Sequence, residues 1–277
     1  MSRELRLRIV SGIVLAAVVL AATWYGGFAF RLLAVVIALL VYYEWSSMTG
    51  LPAKDPQGNA LGWLGMAVIC VSALSEASAY AVGAMIVFVA ITLALSLLRK
   101  KSGWLPGGLF YAGLTGIALS EIRDNDLLGL VTMLFVFATV WATDILAYFV
   151  GRAIGGPKLA PRISPGKTWS GAIGGAVAGV IAGTAVVWSF FSGAGVRVAA
   201  VALFLSVCSQ IGDLFESFIK RRFGVKDSSH LIPGHGGVMD RVDGLVFACF
   251  AAFLLAIVFS LASDGETASL GGVLLGV

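Results

Sequence analysis

Between Ser209 and Gly244 the chain reads SQIGDLFESFIKRRFGVKDSSHLIPGHGGVMDRVDG, a polar run set between apolar segments that carries both of its 2 histidines. Its carboxylates are Asp213, Glu216, Asp227, Asp240 and Asp243, and its cations are Lys220, Arg221, Arg222, Lys226 and Arg241. Charge beside a bilayer is expensive, so so dense a cluster reads as a working site. On a helix, Asp213, Glu216, Ser217 and Lys220 stand at i, i+3, i+4 and i+7, which gives one face two carboxylates, a hydroxyl and an ammonium. Asp240 and Asp243 repeat the i, i+3 spacing at the start of the next apolar run, so two helix ends could bring carboxylates to a common point. Oxygen clusters of that kind suit Mg2+, which takes a few carboxylates together with water and substrate phosphates. Between the two ends, Pro233-Gly234-His235-Gly236-Gly237 is a turn whose backbone N–H groups can approach a phosphate, with lysine and arginine close by. Acid, base and glycine together point to nucleotide plus metal.

Plainer readings stand beside these. Lys220-Arg221-Arg222 alone would be a cytoplasmic anchor touching lipid headgroups. Asp240 and Asp243 at a helix N-terminus would favour its dipole, a role compatible with holding a metal. His235 is a turn residue or a ligand contact with equal weight. Lys54, Asp55 and the Arg99–Lys101 run read as solvated loop charges, and Glu44, closing an apolar run, reads as structural. Asp144 lies well inside an apolar segment, where an uncompensated carboxylate costs a few kcal/mol, and so reads as functional.

Several stretches resemble phosphatidate cytidylyltransferases (CDP-diacylglycerol synthases). Ser217, Lys220-Arg221, Lys226-Asp227, Ser229, Ile232-Pro233, His235-Gly236-Gly237-Val238 and Asp240-Arg241-Val242-Asp243 follow that family's signature without gaps. Upstream, Asp144, Ala147-Tyr148 and Gly151-Arg152 resemble a second family segment, and Ser164 to Gly171 resembles its SPKKTWEG box. The box departs at Gly166, where a second lysine is common, and at Ser170, where glutamate is common. The resemblance implies that CTP and phosphatidate become CDP-diacylglycerol and pyrophosphate. It implies a metal site of Asp213, Asp240 and Asp243, with Asp144 and Asp227 added, holding one or two Mg2+ ions; a monovalent ion is left open. Lys167, Lys220, Arg221, Lys226 and Arg241 are the expected phosphate contacts, with Asp227 beside them. Ser164, Thr168, Ser217, Gly234, His235, Gly236 and Gly237 are the expected substrate contacts. The partners are then CTP, phosphatidate and the lipid bilayer; no nucleic acid is expected, and a homodimer is left open. A CTP-dependent lipid kinase of the polyprenol or phytol type, and a cation or proton transporter, are the competing functions.

The elements that must position these residues are membrane spans. With 59% hydrophobic and 12% charged residues in 277, and a mean hydropathy of +0.96, the chain reads as an all-α polytopic integral membrane protein. One domain over residues 1–277, with residues 209–244 as its signature region, is the expected organisation. The basic leader Met1 to Arg8 precedes a first span, Ile9 to Thr23, rather than a cleaved signal peptide. Further apolar segments run from Phe28 to Ser46, Leu61 to Ser75, Tyr80 to Leu98, Leu105 to Ser120, Leu128 to Val150, Trp169 to Phe191, Val198 to Lys220 and Val242 to Leu261, which makes about nine. With that number, all of the 19 Lys and Arg except Arg31, Arg123 and Arg197 fall on one side. The positive-inside rule makes that side, with the N-terminus and the charged cluster, cytoplasmic, in a cell inner membrane. The acidic loop Glu121 to Asp126 and the tail Asp264 to Glu266 fall opposite. Cys70, Cys208 and Cys249 sit singly in apolar runs and read as small buried hydrophobes. Gly171, Gly175, Gly179 and Gly183 recur every fourth residue and predict close helix packing. Residues 268–277 are too short to cross and are given no role.

Overall fold

Long apolar runs satisfy their own backbone only as helices, and the computed structural model, which describes residues 3–75, 78–192, 195–262 and 269–276, is built almost wholly of them. In order they are α1 (Arg3–Tyr25), α2 (Gly27–Thr49), the short α3 (Leu51–Lys54), α4 (Pro56–Leu74), α5 (Ser78–Leu98), α6 (Trp104–Arg123), α7 (Leu127–Ile154), α8 (Trp169–Phe190), α9 (Val196–Arg222), α10 (Met239–Ala262) and the short α11 (Leu270–Leu275). A hairpin of β1 (Lys158–Ala160) and β2 (Ser164–Thr168) stands between α7 and α8.

Among the described residues, 7 helices are long and apolar enough to cross a membrane: α2, α4, α5, α7, α8, α9 and α10. The all-α polytopic membrane class is what the fold shows. Two of the expected nine segments, those of α1 and α6, are not among these 7. α1 runs over 23 residues, Arg3–Tyr25, with its apolar stretch from Ile9 to Tyr25. In α6, four glycines, Pro106, Glu121 and Arg123 dilute the apolar run.

The chain divides into two compact units, Met1–Ser120 with Arg222–Arg241, and Glu121–Arg221 with Val242–Val277. In the first, α2 packs on α4 and α4 on α5. Trp45 of α2 donates from its ring N–H to the carbonyl of Trp104 at 2.8 Å and stacks on Tyr111 at 5.5 Å. The α2 end turns at Gly50, whose φ of 75° favours glycine. Asp55 then caps α4 by accepting from the Gly58 N–H at 3.2 Å. Expected to be solvated, Asp55 is instead 7% exposed, and its carboxylate pairs with Lys101 at 2.7 Å. The cap role draws it inward.

In the second unit α7 and α8 lie against each other along the predicted glycine face. A Cβ on Gly171 would sit 2.6 Å from the carbonyl oxygen of Ala147, and one on Gly175 would sit 2.6 Å from that of Thr143. Only a bare Cα allows that approach. Thr143 also meets Ser206 of α9, hydroxyl to hydroxyl, at 2.8 Å. α9 crosses α10 at Gly212, where a Cβ would lie 2.6 Å from the Asp243 carbonyl oxygen. Residues 270–275 do have a place: they form α11, capped by Ser269 and buried against α7, while the guanidinium of Arg197 reaches the Val273 carbonyl and lies over the Phe259 ring at 4.3 Å. The tail residues Asp264 to Glu266 lie outside the described residues. Cys70 and Cys249 are buried and Cys208 half-buried, all as free thiols.

Candidate active site

Two groups of the expected residues are assembled, one in each unit. In the second unit, α7 presents Asp144 and Arg152, the β1–β2 hairpin presents Lys158, Ser164, Gly166 and Lys167, and α9 presents Asp213 to one cavity of about 620 Å³. The hairpin puts Lys167 there. Thr168 caps α8 by accepting from the Gly171 N–H at 3.1 Å, so the preceding residue is held at the mouth of the cavity. Thr168 is buried in that role. The Ser170 hydroxyl donates to the Gly155 carbonyl, which ties the box to the end of α7. Gly166 faces open space: a Cβ there would meet nothing within 4 Å.

The Lys167 ammonium is paired with the Asp213 carboxylate. Asp144, exposed into the cavity, interacts electrostatically with Asp243, Asp213 and Lys167. Asp243 interacts with Asp213 and Lys220 and lies against Glu216. On α9, Lys220 donates to the fully buried Glu216 at 3.1 Å, and Ser217 donates to Asp213 at 3.5 Å, as the i, i+4 spacing foretold. Counted as ionised, these four carboxylates face two ammoniums, an excess of two negative charges. That excess, presented on oxygen donors alone, fits a divalent hard cation. Among the described residues no three His, Cys, Asp or Glu side chains close into a ready-made metal cage. Mg2+ needs none, since it retains water and binds through one or two carboxylates plus substrate phosphates.

A second cavity of about 660 Å³ adjoins the first and shares Leu159, Ala172 and Gln210 with it. Its remaining walls are apolar, from Ile173, Val177 and Ile181 on α8 to Leu203, Val207 and Ile211 on α9.

In the first unit the loop between α9 and α10 encloses another cavity of about 620 Å³, lined by Lys226, Asp227, His230, Gly234, His235, Gly236 and Arg241. Gly234 and Gly236 have φ of 76° and 82°, the left-handed conformation that glycine adopts freely. The turn closes on itself through Ile232 N–H to Gly236 O at 2.8 Å and His235 N–H to Ile232 O at 2.9 Å. Two amides expected to face a phosphate are thus engaged within the protein, that of His235 and that of Gly237, which donates to Asp240 at 2.8 Å. The cavity's cationic groups are Lys226 and Arg241, and His230 and His235 add ring nitrogens. Asp240 Oδ2 also accepts from the Ser228 N–H at 2.8 Å and lies 2.9 Å from the Ser228 hydroxyl, whose single proton it shares with Glu44. From α1, the Ser11 hydroxyl donates to the Pro233 carbonyl at 3.2 Å and lies 2.8 Å from His235 Nδ1. With its proton so used, Ser11 accepts from Nδ1–H, which fixes the ring orientation. Arg221, at the end of α9, is exposed.

Sequence reasoning passed over Glu44. Its carboxylate, 0% exposed, accepts from the hydroxyls of Ser228 and Ser229 at 3.0 and 2.6 Å and from the N–H groups of Val238 and Met239 at 2.8 and 2.7 Å. The structural reading stands, but what it holds is the signature loop. The signal was a lone carboxylate closing an apolar span.

Over residues 6–259 the chain matches the model of the cytidylyltransferase family. It is 44% identical over 257 residues to the phosphatidate cytidylyltransferase of Brucella abortus biovar 1 (strain 9-941), covering 93% of this chain and 95% of that one. The protein of the same name from Haemophilus influenzae is 35% identical, with 88% and 96% covered. That of Bacillus subtilis (strain 168) is 37% identical over 159 residues, 56% of this chain and 58% of the other.

Proposed function

The chain belongs to the cytidylyltransferase family, and from that premise we propose that it transfers CMP from CTP to phosphatidate, giving CDP-diacylglycerol and pyrophosphate. The observation that carries the reading is the polar cavity of Asp144, Lys167 and Asp213 opening beside an apolar one of about 660 Å³. A lipid phosphate needs that pairing: charge for the headgroup and apolar wall for the acyl chains. Phosphatidate enters there, and the triphosphate of CTP belongs with Lys226, His230 and Arg241 in the loop cavity.

A phosphate oxygen of phosphatidate attacks the α-phosphorus of CTP; the new P–O bond forms as the bond to the β-phosphate oxygen breaks, and pyrophosphate carries the electron pair away. The attacking oxygen is already anionic at neutral pH, so no strong base and no covalent nucleophile are required. The protein's task is to hold anions together and neutralise them. Lys167 faces the lipid phosphate, and Arg152 and Lys158 line the same cavity. Asp144, Asp213 and Asp243 would hold Mg2+, which when bound supplies positive charge to phosphate oxygens. Asp240, committed to Ser228 and Gly237, organises the loop. The excess of cationic residues on one side of the nine-span topology supports a cytoplasmic face of the inner membrane for this chemistry.

The test uses detergent-purified protein, phosphatidate, Mg2+ and CTP labelled at either the α or the γ phosphate. Label from α enters the chloroform-soluble product and label from γ appears in pyrophosphate. Lipid bearing the γ label would make the protein a kinase and refute the proposal.

A further inference from the structure

Glu44 reaches the loop from 195 residues before Met239, and each of its oxygens takes one hydroxyl and one backbone N–H. A carboxylate has about four such sites, so its accepting capacity is filled. The Ser228 hydroxyl lies 3.0 Å from Glu44 and 2.9 Å from Asp240, and Asp240 in turn holds Gly237. Residues 228, 229, 237, 238 and 239 are therefore stitched into one unit around two carboxylates. Between those stitches hang His230, His235 and the glycine turn, and immediately outside them Lys226 and Arg241, all lining the loop cavity. The segment from 223 to 238 has no helix or strand to hold it.

We propose that Glu44 is a positioning residue for nucleotide binding: it touches no substrate, and it sets the loop geometry that gives CTP its affinity. The proposal rests on the assignment of the CTP phosphates to this cavity. The decisive variant is Glu44→Gln, which keeps size and shape. Whichever way the amide turns, its NH2 meets a backbone N–H, of Val238 or of Met239, that cannot reverse to accept. A buried donor left without an acceptor weakens the bound arrangement about tenfold to a hundredfold. Ser229→Ala removes a single donor and should move the same quantity by less.

The measurements are the Kd for CTP by calorimetry on the detergent-solubilised protein, the KM for each substrate, and the thermal midpoint. Expected are a Kd and KM for CTP raised about tenfold or more in Glu44→Gln, a smaller rise in Ser229→Ala, and an unchanged KM for phosphatidate. Asp55→Asn, which breaks another buried carboxylate contact in the same unit, should lower the thermal midpoint and leave the Kd for CTP alone. Wild-type CTP affinity in both loop variants would overturn the proposal. So would a parallel loss for both substrates that tracks the thermal midpoint, because that is general loosening. If Ser229→Ala alone folds, its CTP affinity decides. If the native chain binds CTP but forms no CDP-diacylglycerol, the transferase reading fails and the Glu44 test still stands; if it binds no CTP, both fail.

Discussion

Replacing Gly175 by alanine tests whether the α7–α8 contact sets the geometry of the charged cavity. The added Cβ would lie 2.6 Å from the Thr143 carbonyl oxygen, 2.9 Å from the Ala147 Cβ and 3.3 Å from the Ala147 Cα. Ordinary contact begins at 3.4 Å, so the helices must part by about 0.8 Å there. Overpacking of this size costs about 1–3 kcal/mol, while alanine recovers about 1 kcal/mol of helix propensity. The net penalty leaves the protein folded. Function is more sensitive, because Asp144 follows Thr143 on α7 and Lys167 stands two residues before α8 begins. A misplacement near 1 Å typically costs about 100-fold, so kcat/KM should fall by about that factor. The assay is the initial rate of CDP-diacylglycerol formation, with circular dichroism and a thermal melt on the same sample. Gly83→Ala is the control: a Cβ there meets nothing within 4 Å, and activity should be retained. A Gly175→Ala enzyme with native kcat/KM, or one whose loss merely equals its unfolded fraction, would refute the reasoning.

Two further outcomes separate the charged residues. Asp243→Asn should raise the Mg2+ concentration needed for half-maximal rate by about tenfold or more if the proposed metal site holds, since one carboxylate is lost from it. Asp240→Asn should leave it unchanged, because the Ser228 and Gly237 N–H groups meet a single oxygen that an amide carbonyl can replace. For Asp55, burial alone would raise the carboxyl, but the Lys101 and Gly58 bonds and the charge of Arg99 hold it below its ordinary value. A depressed value stabilises the fold above the ordinary carboxylate range of about 4 and loses that contribution as pH falls through the folded value. The thermal midpoint of the native protein should therefore approach that of Asp55→Asn as pH drops from 6 toward about 3, and a constant gap would refute the pairing.

The helices were legible because apolar length is the strongest signal a membrane chain carries, and the glycine repeat named the packing face of α8, though not α7 as its partner, because period and size both mattered there. Asp144 and Asp213 were visible as charges inside apolar runs. The hairpin of Lys158–Ala160 and Ser164–Thr168 was hidden, since strands so short show no alternation, although Pro161 stands at the second position of the turn closed by Ile163 N–H to Ala160 O at 3.1 Å. The i, i+3 spacing of Asp240 and Asp243 made them look alike, yet their partners differ: Ser228 and Gly237 for one, Glu216 and Asp213 for the other. Helical spacing gives direction along one element and is silent on what comes from elsewhere. Glu44 shows the same limit, because its value comes from donors that only the folded loop supplies.

The clamp on that loop also bears on how the protein is made. Glu44 leaves the ribosome with α2, but Ser228 to Met239 follow 184 to 195 residues later. At about 5–20 residues per second, that interval lasts about 10 to 40 s. Throughout it the carboxylate has none of its native donors, and a bare carboxylate in hydrocarbon would be costly. The end of α2 must therefore wait at the water boundary, hydrated, until α7, α8 and α9 have been inserted and the loop arrives to replace the water. Completion of the loop cavity is thus a late event in synthesis, timed by the arrival of the loop and not by the early helices that receive it.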